Sequence, residues 1–412
     1  MPPKHDPPPV NDWPRSPAPE LELITLTLRL SKMRKSFRKA EMAVLLLVAL
    51  LCLVFMFFNG TDNNQLLREV ERSLPGTERP FESQHPSLVG QPVPDCKENV
   101  SAANISGFSG LPRHIQDFLR YRHCRKFPLM LDVPEKCGKT AQDSADVFLL
   151  LVIKSSPPNY DRREVIRKTW GTERRQNGVW IRRVFIFGNT ENPRDARRMN
   201  RLLELEQKEH HDILQWDFKD SFFNLTLKQV LFLEWMEVRC PHVRFLLNGD
   251  DDIFANTDNM VEYLQGQEGN NGSKHLFAGH LIRWVGPIRD IGSKYYIPVQ
   301  VQESNSYPPY CGGGGFLLSG FTARTIYKMS LNITLLPIDD VYMGMCLKQA
   351  GLEPVSHMGV RTAGMHVPSK QLDPYNPCYY REILLVHRFL PYEILIMWHE
   401  IHDPQLYCNI GL

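Results

Sequence analysis

Phe245-Leu246-Leu247-Asn248-Gly249-Asp250-Asp251-Asp252-Ile253-Phe254 runs from an apolar segment into three consecutive carboxylates and out into a second apolar segment. Adjacent carboxylates repel one another, and at the end of a buried strand they are best accommodated around a cation. The stretch therefore predicts a hard-metal site delivered by a core strand. It lacks the glycine and glutamate spacing of a calcium-binding helix–loop–helix. An acidic run alone also fits a solvated surface loop, so the flanking elements have to decide.

Outward from this stretch, strand and helix signals alternate. Residues 147–153 are a continuous apolar run of buried-strand length, 162–169 read as a helix, and 184–187 as a second strand ended by Gly188. Helical patterns follow at 195–210 and 225–239, and then comes the strand that carries the aspartates. This alternation predicts an α/β domain with a mixed, mainly parallel central sheet flanked by helices. In open sheets of this kind ligands bind beyond the carboxyl ends of the strands, where the triplet lies.

Four further constellations bear on chemistry. Arg163 and Arg167 stand four apart on one helical face, a spacing that suits either a diphosphate or a solvated basic surface. Cys311 precedes Gly312, Gly313, Gly314 and Gly315, a run along which backbone can approach a ligand closely; without a following Lys-Ser/Thr it is no phosphate-binding P-loop. Asp339 and Asp340 open a helical pattern, where carboxylates serve as caps or as a general base. His387 interrupts an apolar stretch, as a core histidine or a ligand does.

The first 41 residues are proline-bearing and read as a cytosolic tail. Residues 42–58 are apolar and follow a basic cluster that includes Lys32, Arg34, Lys35, Arg38 and Lys39, so they read as a transmembrane signal anchor with the N-terminus cytosolic. Residues 59–110 read as a lumenal stem, and 111–412 as the catalytic domain. Eight cysteines outside the anchor suit an oxidising lumen and allow up to four disulfides, or fewer with a free pair. Glycosylation acceptors occur at Asn99, Asn104, Asn224, Asn271 and Asn332, with another at Asn59 beside the anchor. A formal charge of +2 over 412 residues gives no reason to expect a nucleic-acid partner.

In order and spacing, Arg163-x-x-Ile166-Arg167-x-Thr169-Trp170-Gly171, residues 222–228, the aspartate triplet, Tyr307-Pro308-Pro309-Tyr310 with its glycine run, and Asp339-Asp340-Val341-x-x-Gly344 resemble the β1,3-glycosyltransferases of glycosyltransferase family 31. The likeness covers about 121–398 and is greatest to the β-1,3-N-acetylglucosaminyltransferases that extend core 1 O-glycans and N-acetyllactosamine ends. It implies a GT-A type nucleotide-sugar-binding fold, a single-pass type II Golgi membrane protein, UDP-GlcNAc as donor, galactose-terminated glycans as acceptors, Mn2+ or Mg2+ as cofactor, and homo- or hetero-oligomers with other Golgi glycosyltransferases. Carried over by motif, Asp250, Asp252 and His387 are the metal side and Asp340 the catalytic base. Lys154, Arg163, Arg167 and Asp251 are expected on the nucleotide, and Tyr295, Tyr296, Gly313, Gly314 and Gly315 along the acceptor. A β1,3-galactosyltransferase shares nearly all of these motifs, and a non-catalytic lumenal glycan-binding protein could keep the triplet but has no need of Asp340.

Overall fold

The structure, a computed structural model, describes residues 88–408 except 92, 191 and 364–372. In chain order, helix α1 (Arg113–Tyr121) and strand β1 (Leu129–Leu131) precede β2 (Val147–Lys154), α2 (Tyr160–Lys168), β3 (Arg174–Gln176) and β4 (Val179–Asn189). Next come α3 (Pro193–His210), β5 (Ile213–Lys219), α4 (Leu225–Arg239), β6 (Phe245–Asp250), β7 (Ile253–Ala255) and α5 (Thr257–Gln265). After β8 (Phe277–Ile282) a long loop leads to β9 (Tyr310–Ser319), α6 (Gly320–Ser330) and α7 (Asp339–Gln349). The chain then forms β10 (Val355–Ser356), β11 (Val360–Arg361), α8 (Pro377–Glu382), β12 (Leu385–His387) and α9 (Pro391–Ile401).

Every residue of β2 is buried, as a continuous apolar strand between two helix layers must be. Its side chains alternate between two cores: Leu150 and Val152 face the layer containing α4, while Leu149, Leu151 and Ile153 join the core with Trp170 and Phe254. Truncating Leu151, which is wholly buried, should cost about 2–5 kcal/mol. α4 is apolar over most of its circumference because α6 and α7 pack on it, and only Glu234, Glu237 and Val238 on its second half reach toward solvent. α3 has Pro193 in its first turn, with the Asn192 side chain accepting from the Arg194 amide, and ends at His211 in the left-handed region.

The large sheet runs β1-β5-β4-β2-β6-β9-β8-β10, with β3 added to β4. Its β5-β4-β2-β6 part is parallel, but β1–β5, β3–β4, β6–β9 and β9–β8 pair antiparallel. The sheet is therefore mixed rather than mainly parallel, because the segment after β6 returns as an antiparallel pair instead of through crossover helices. A second, three-stranded sheet runs β11-β12-β7.

The folded part begins before residue 111. A bridge joins Val89 to Leu129, Ala102 and Phe108 are buried, and Cys96 is bonded to Cys124. The polar composition of this segment hides those few anchoring contacts. Cys137–Cys240 and Cys378–Cys408 complete three disulfides among the described residues, and Cys311 and Cys346 are buried thiols. The tail, the apolar stretch 42–58 and Asn59 lie outside the described residues; among the described residues no helix is long and apolar enough to cross a membrane.

Candidate active site

The backbone ladders bring the acidic triplet and the distant histidine together. β6 ends at Asp250, and after Asp251 and Asp252 the chain enters β7, where Ile253 pairs with His387 of β12. The Phe389 amide donates to the Asp252 carbonyl at 2.8 Å and closes this corner. His387 Nε2 consequently lies 3.0 Å from an Asp252 oxygen and 3.7 Å from an Asp250 oxygen. Ligand atoms of the three residues all fall within 4.8 Å of one another. The Thr362 carbonyl accepts from His387 Nδ1 at 3.2 Å, which turns Nε2 toward the carboxylates.

The donor set fits a divalent cation. Two carboxylates and one inward-facing imidazole leave positions open for other oxygens, and a nitrogen among oxygens suits manganese, with magnesium the harder alternative. The other cluster of metal-type side chains among the described residues, Cys96, His123 and Cys124, has its sulfurs tied in a disulfide.

The glycine run lies within β9, and it makes room for side chains rather than for ligand alone. A Cβ on Gly314, whose φ is +101°, would lie 2.8 Å from the His387 ring. One on Gly315 would strike Leu385 at 2.4 Å, and one on Gly312 would meet Thr362 at 2.9 Å. The run thus allows the small sheet to close against β9. Gly313 instead faces Asp340, and its amide donates to Asp340 Oδ2 at 2.7 Å.

Asp340 lies in the first turn of α7, and its Oδ1 accepts from the Val341 amide at 2.7 Å. Ile338 occupies the cap position without a side-chain cap, so neither aspartate is a conventional N-cap. Burial of the carboxyl, with the negative charge of Asp339 beside it, pushes the pKa of Asp340 up to about 7, against the Gly313 and Val341 hydrogen bonds and Lys154. A carboxylate poised there can accept a proton at neutral pH. Tyr307 and Tyr310 flank it: burial, together with the Asp340 charge, raises both phenols.

Several expected nucleotide contacts are placed otherwise. Lys154 is buried and spans Asp250 at 3.1 Å and Asp339 at 2.7 Å, tying β6 to the start of α7. Burial would discharge it, but these two carboxylates hold its pKa above the usual lysine value. Asp251 is also buried, accepting from Ser155 at 2.7 Å, Asn159 at 2.8 Å and Arg162 at 3.4 Å. Arg163 and Arg167 point inward to Glu206 and Asp212, because their helical face is the one packed on the sheet. All four side chains are buried and paired within the protein. Arg162, one position earlier, is the partly exposed cation beside Asp251 and Asp252. Arginine spacing alone could not tell inward from outward, although the interleaved Val165 and Ile166 marked the buried face.

On the acceptor side, Tyr295 packs against Phe222 beneath Lys294, and Tyr296 packs on the core. The tyrosines beside Asp340 are those of the quoted Tyr-Pro-Pro-Tyr motif, a signal present in the sequence. Among the acceptor asparagines, Asn99, Asn104, Asn271 and Asn332 are exposed, whereas Asn224 is half-buried and donates to the Lys219 carbonyl. A cavity of about 530 Å³ bounded by His114, Phe118, Phe218 and Leu335 shares no residue with the acidic cluster.

Residues 161–358 match the Galactosyltransferase family. The chain is 55% identical over 326 residues to the human N-acetyllactosaminide beta-1,3-N-acetylglucosaminyltransferase 3, covering 79% of this chain and 85% of that one. It is 47% identical over 384 residues to the human acetylgalactosaminyl-O-glycosyl-glycoprotein beta-1,3-N-acetylglucosaminyltransferase, covering 92% and 98%. With the mouse UDP-GlcNAc:betaGal beta-1,3-N-acetylglucosaminyltransferase 7 it shares 38% identity over 393 residues, 89% of this chain and 96% of the relative. Identities of 38–55% over 79–92% of its length show that this chain belongs to glycosyltransferase family 31, among the β-1,3-N-acetylglucosaminyltransferases.

Proposed function

We propose that this protein transfers N-acetylglucosamine from UDP-GlcNAc in β1,3 linkage to galactose-terminated glycans, core 1 O-glycans and N-acetyllactosamine among them, with inversion at the donor carbon. The observation that carries the reading is the division of labour among carboxylates: Asp250 and Asp252 converge with His387, while Asp340 stands apart on the Gly313 amide with a pKa near neutrality. The relatives' names support the donor, linkage and acceptor class.

Asp250, Asp252 and His387 would hold Mn2+ or, less well matched, Mg2+. When bound, the cation supplies Lewis-acid neutralisation of the charge that develops on departing UDP. Arg162 lies at the edge of the same cluster and adds a positive charge on the diphosphate side. Asp340 takes the proton of the galactose 3-hydroxyl as its oxygen attacks the sugar carbon, and inversion needs only this one base. The Gly313 and Val341 amides each occupy one lone pair on an Asp340 oxygen and aim the remainder. Lys154 fixes the distance between the two halves by holding Asp250 and Asp339.

We assign the fold to the GT-A type and the protein to the Golgi membrane as a single-pass type II enzyme, with 42–58 as the anchor and the folded part lumenal. Assay of the full chain with Mn2+, UDP-GlcNAc or UDP-galactose, and galactose-ended disaccharides tests the reading. The expected result is transfer of N-acetylglucosamine; preferential transfer of galactose overturns the donor, and no transfer from either donor overturns the enzymatic reading.

A further inference from the structure

Trp284 is 95% exposed and has a backbone φ of 62°. The left-handed region is strained for a bulky aromatic residue, and an indole held in water contributes nothing to the core. Among the described residues its ring makes no aromatic, cation–π or hydrogen-bonded contact. Val285 and Ile288 beside it are exposed as well, at 38% and 45%, which makes a small apolar patch.

The loop that carries this ring is held firmly. The Arg289 guanidinium donates to the carbonyls of Ile297 at 2.7 Å, Gln302 at 2.9 Å and Ser304 at 3.1 Å, drawing the β8–β9 connection around one side chain. A rigid presentation lowers the ordering cost of binding. The loop is also attached to the reacting region. Ile282, at the end of β8, pairs with Tyr310, and the Tyr307 amide donates to the Val285 carbonyl at 2.9 Å. Trp284 therefore stands on the chain between two backbone links to the tyrosines that neighbour Asp340.

We propose that Trp284 is a specificity-determining platform that stacks on the second sugar of the acceptor, the residue to which the reacting galactose is attached. This rests on the proposed transfer to galactose-ended glycans and deepens it. A pyranose presents one face of C–H bonds that packs on an aromatic plane, while the indole N–H remains free to donate to a hydroxyl or acetamido oxygen. The first sugar goes to Asp340; the Trp284 ring meets the next one.

The test uses the full solubilised chain with Mn2+ and UDP-GlcNAc on methyl β-galactoside and on disaccharides with N-acetylglucosamine or N-acetylgalactosamine behind the same galactose. Trp284→Ala should raise KM for the disaccharides about 3- to 10-fold. It should leave kcat at saturation, KM for methyl β-galactoside and KM for UDP-GlcNAc unchanged, and Trp284→Phe should restore part of the loss. Metal-dependent UDP binding by Trp284→Ala, measured by calorimetry, reports that the variant is folded. An unchanged disaccharide KM in an active protein, an equal loss on every acceptor, or a change confined to oligomeric state overturns this proposal alone. A wild-type chain that glycosylates no galactoside overturns the parent reading and this proposal with it.

Discussion

Two charged regions of this molecule use similar residues to opposite ends. Behind the sheet, Arg163, Arg167 and Arg183 are interleaved with Glu206 and Asp212, and Phe185 and Phe187 lie against the guanidinium planes. Burial would raise the pKa of Asp212, but its arginine partners overcome that and hold it at about 2. At the acidic cleft the carboxylates have fewer partners: Asp252 meets one imidazole and the edge of Arg162, and Asp340 meets two backbone amides. Saturated charges fix one conformation, whereas undersatisfied ones keep lone pairs for a cation or a proton. Charge count does not separate the two regions; the number of unfilled lone pairs does.

The comparison can be broken first at the base. Asp340→Asn should lower kcat about 10²- to 10⁴-fold while metal-dependent UDP binding, followed by calorimetry, persists. Retained turnover would remove Asp340 from the chemistry. The same variant has a stability signature. A carboxyl whose folded pKa is raised from 3.8 to about 7 contributes stability below its unfolded pKa and loses it as pH rises through the folded value. Asp340→Asn should therefore unfold at a higher temperature than wild type at pH 8 and show little difference at pH 4, by differential scanning calorimetry.

The saturated region should answer in stability instead. Arg167→Met leaves buried Asp212 and Glu206 short of a partner and should cost about 3–5 kcal/mol in denaturant unfolding. The variant that still folds should keep its KM for UDP-GlcNAc; a selective rise in that KM would restore Arg167 to the nucleotide side.

Weaker effects sharpen the picture. Asp252→Asn should weaken Mn2+-dependent UDP binding about 10- to 100-fold, read by calorimetry with chelator-treated protein as baseline. Smallest of all, Asp339→Asn removes a negative charge beside Asp340, so the acidic limb of the pH–kcat/KM profile should move to lower pH. Movement in the other direction would show that its effect through Lys154 dominates.

Local elements were plain in the sequence where one physical signal ruled. The apolar run at the start of β2 was readable because burial on both faces leaves no polar interruption, and the helix Leu225–Arg239 because so long an apolar-rich segment exceeds the length of a strand. The aspartate triplet stood out in the sequence as three adjacent charges after a strand, and the structure brings two of the three beside His387 while the third is held by Ser155 and Asn159. Spacing alone did not tell the inward turn of Arg163 and Arg167, since their partners, Glu206 on α3 and Asp212 just before β5, lie some forty residues away. Nor did it tell the purpose of the glycine run, because the groups it admits, His387, Thr362 and Leu385, come from β12 and the segment after β11. Pairing across distant strands is a tertiary fact that neither periodicity nor composition encodes.

The pairing of β7 with β12 bears on how the cluster is held. His387 sits within the loop closed by Cys378 and Cys408, so the histidine beside Asp250 and Asp252 rides on a stretch pinned by its own covalent bridge as well as by its ladder to β7. The aspartates owe their place to the large sheet and the histidine to this separate staple, and reducing the Cys378–Cys408 bridge would remove one tether from β12 while leaving the strand that delivers the aspartates untouched.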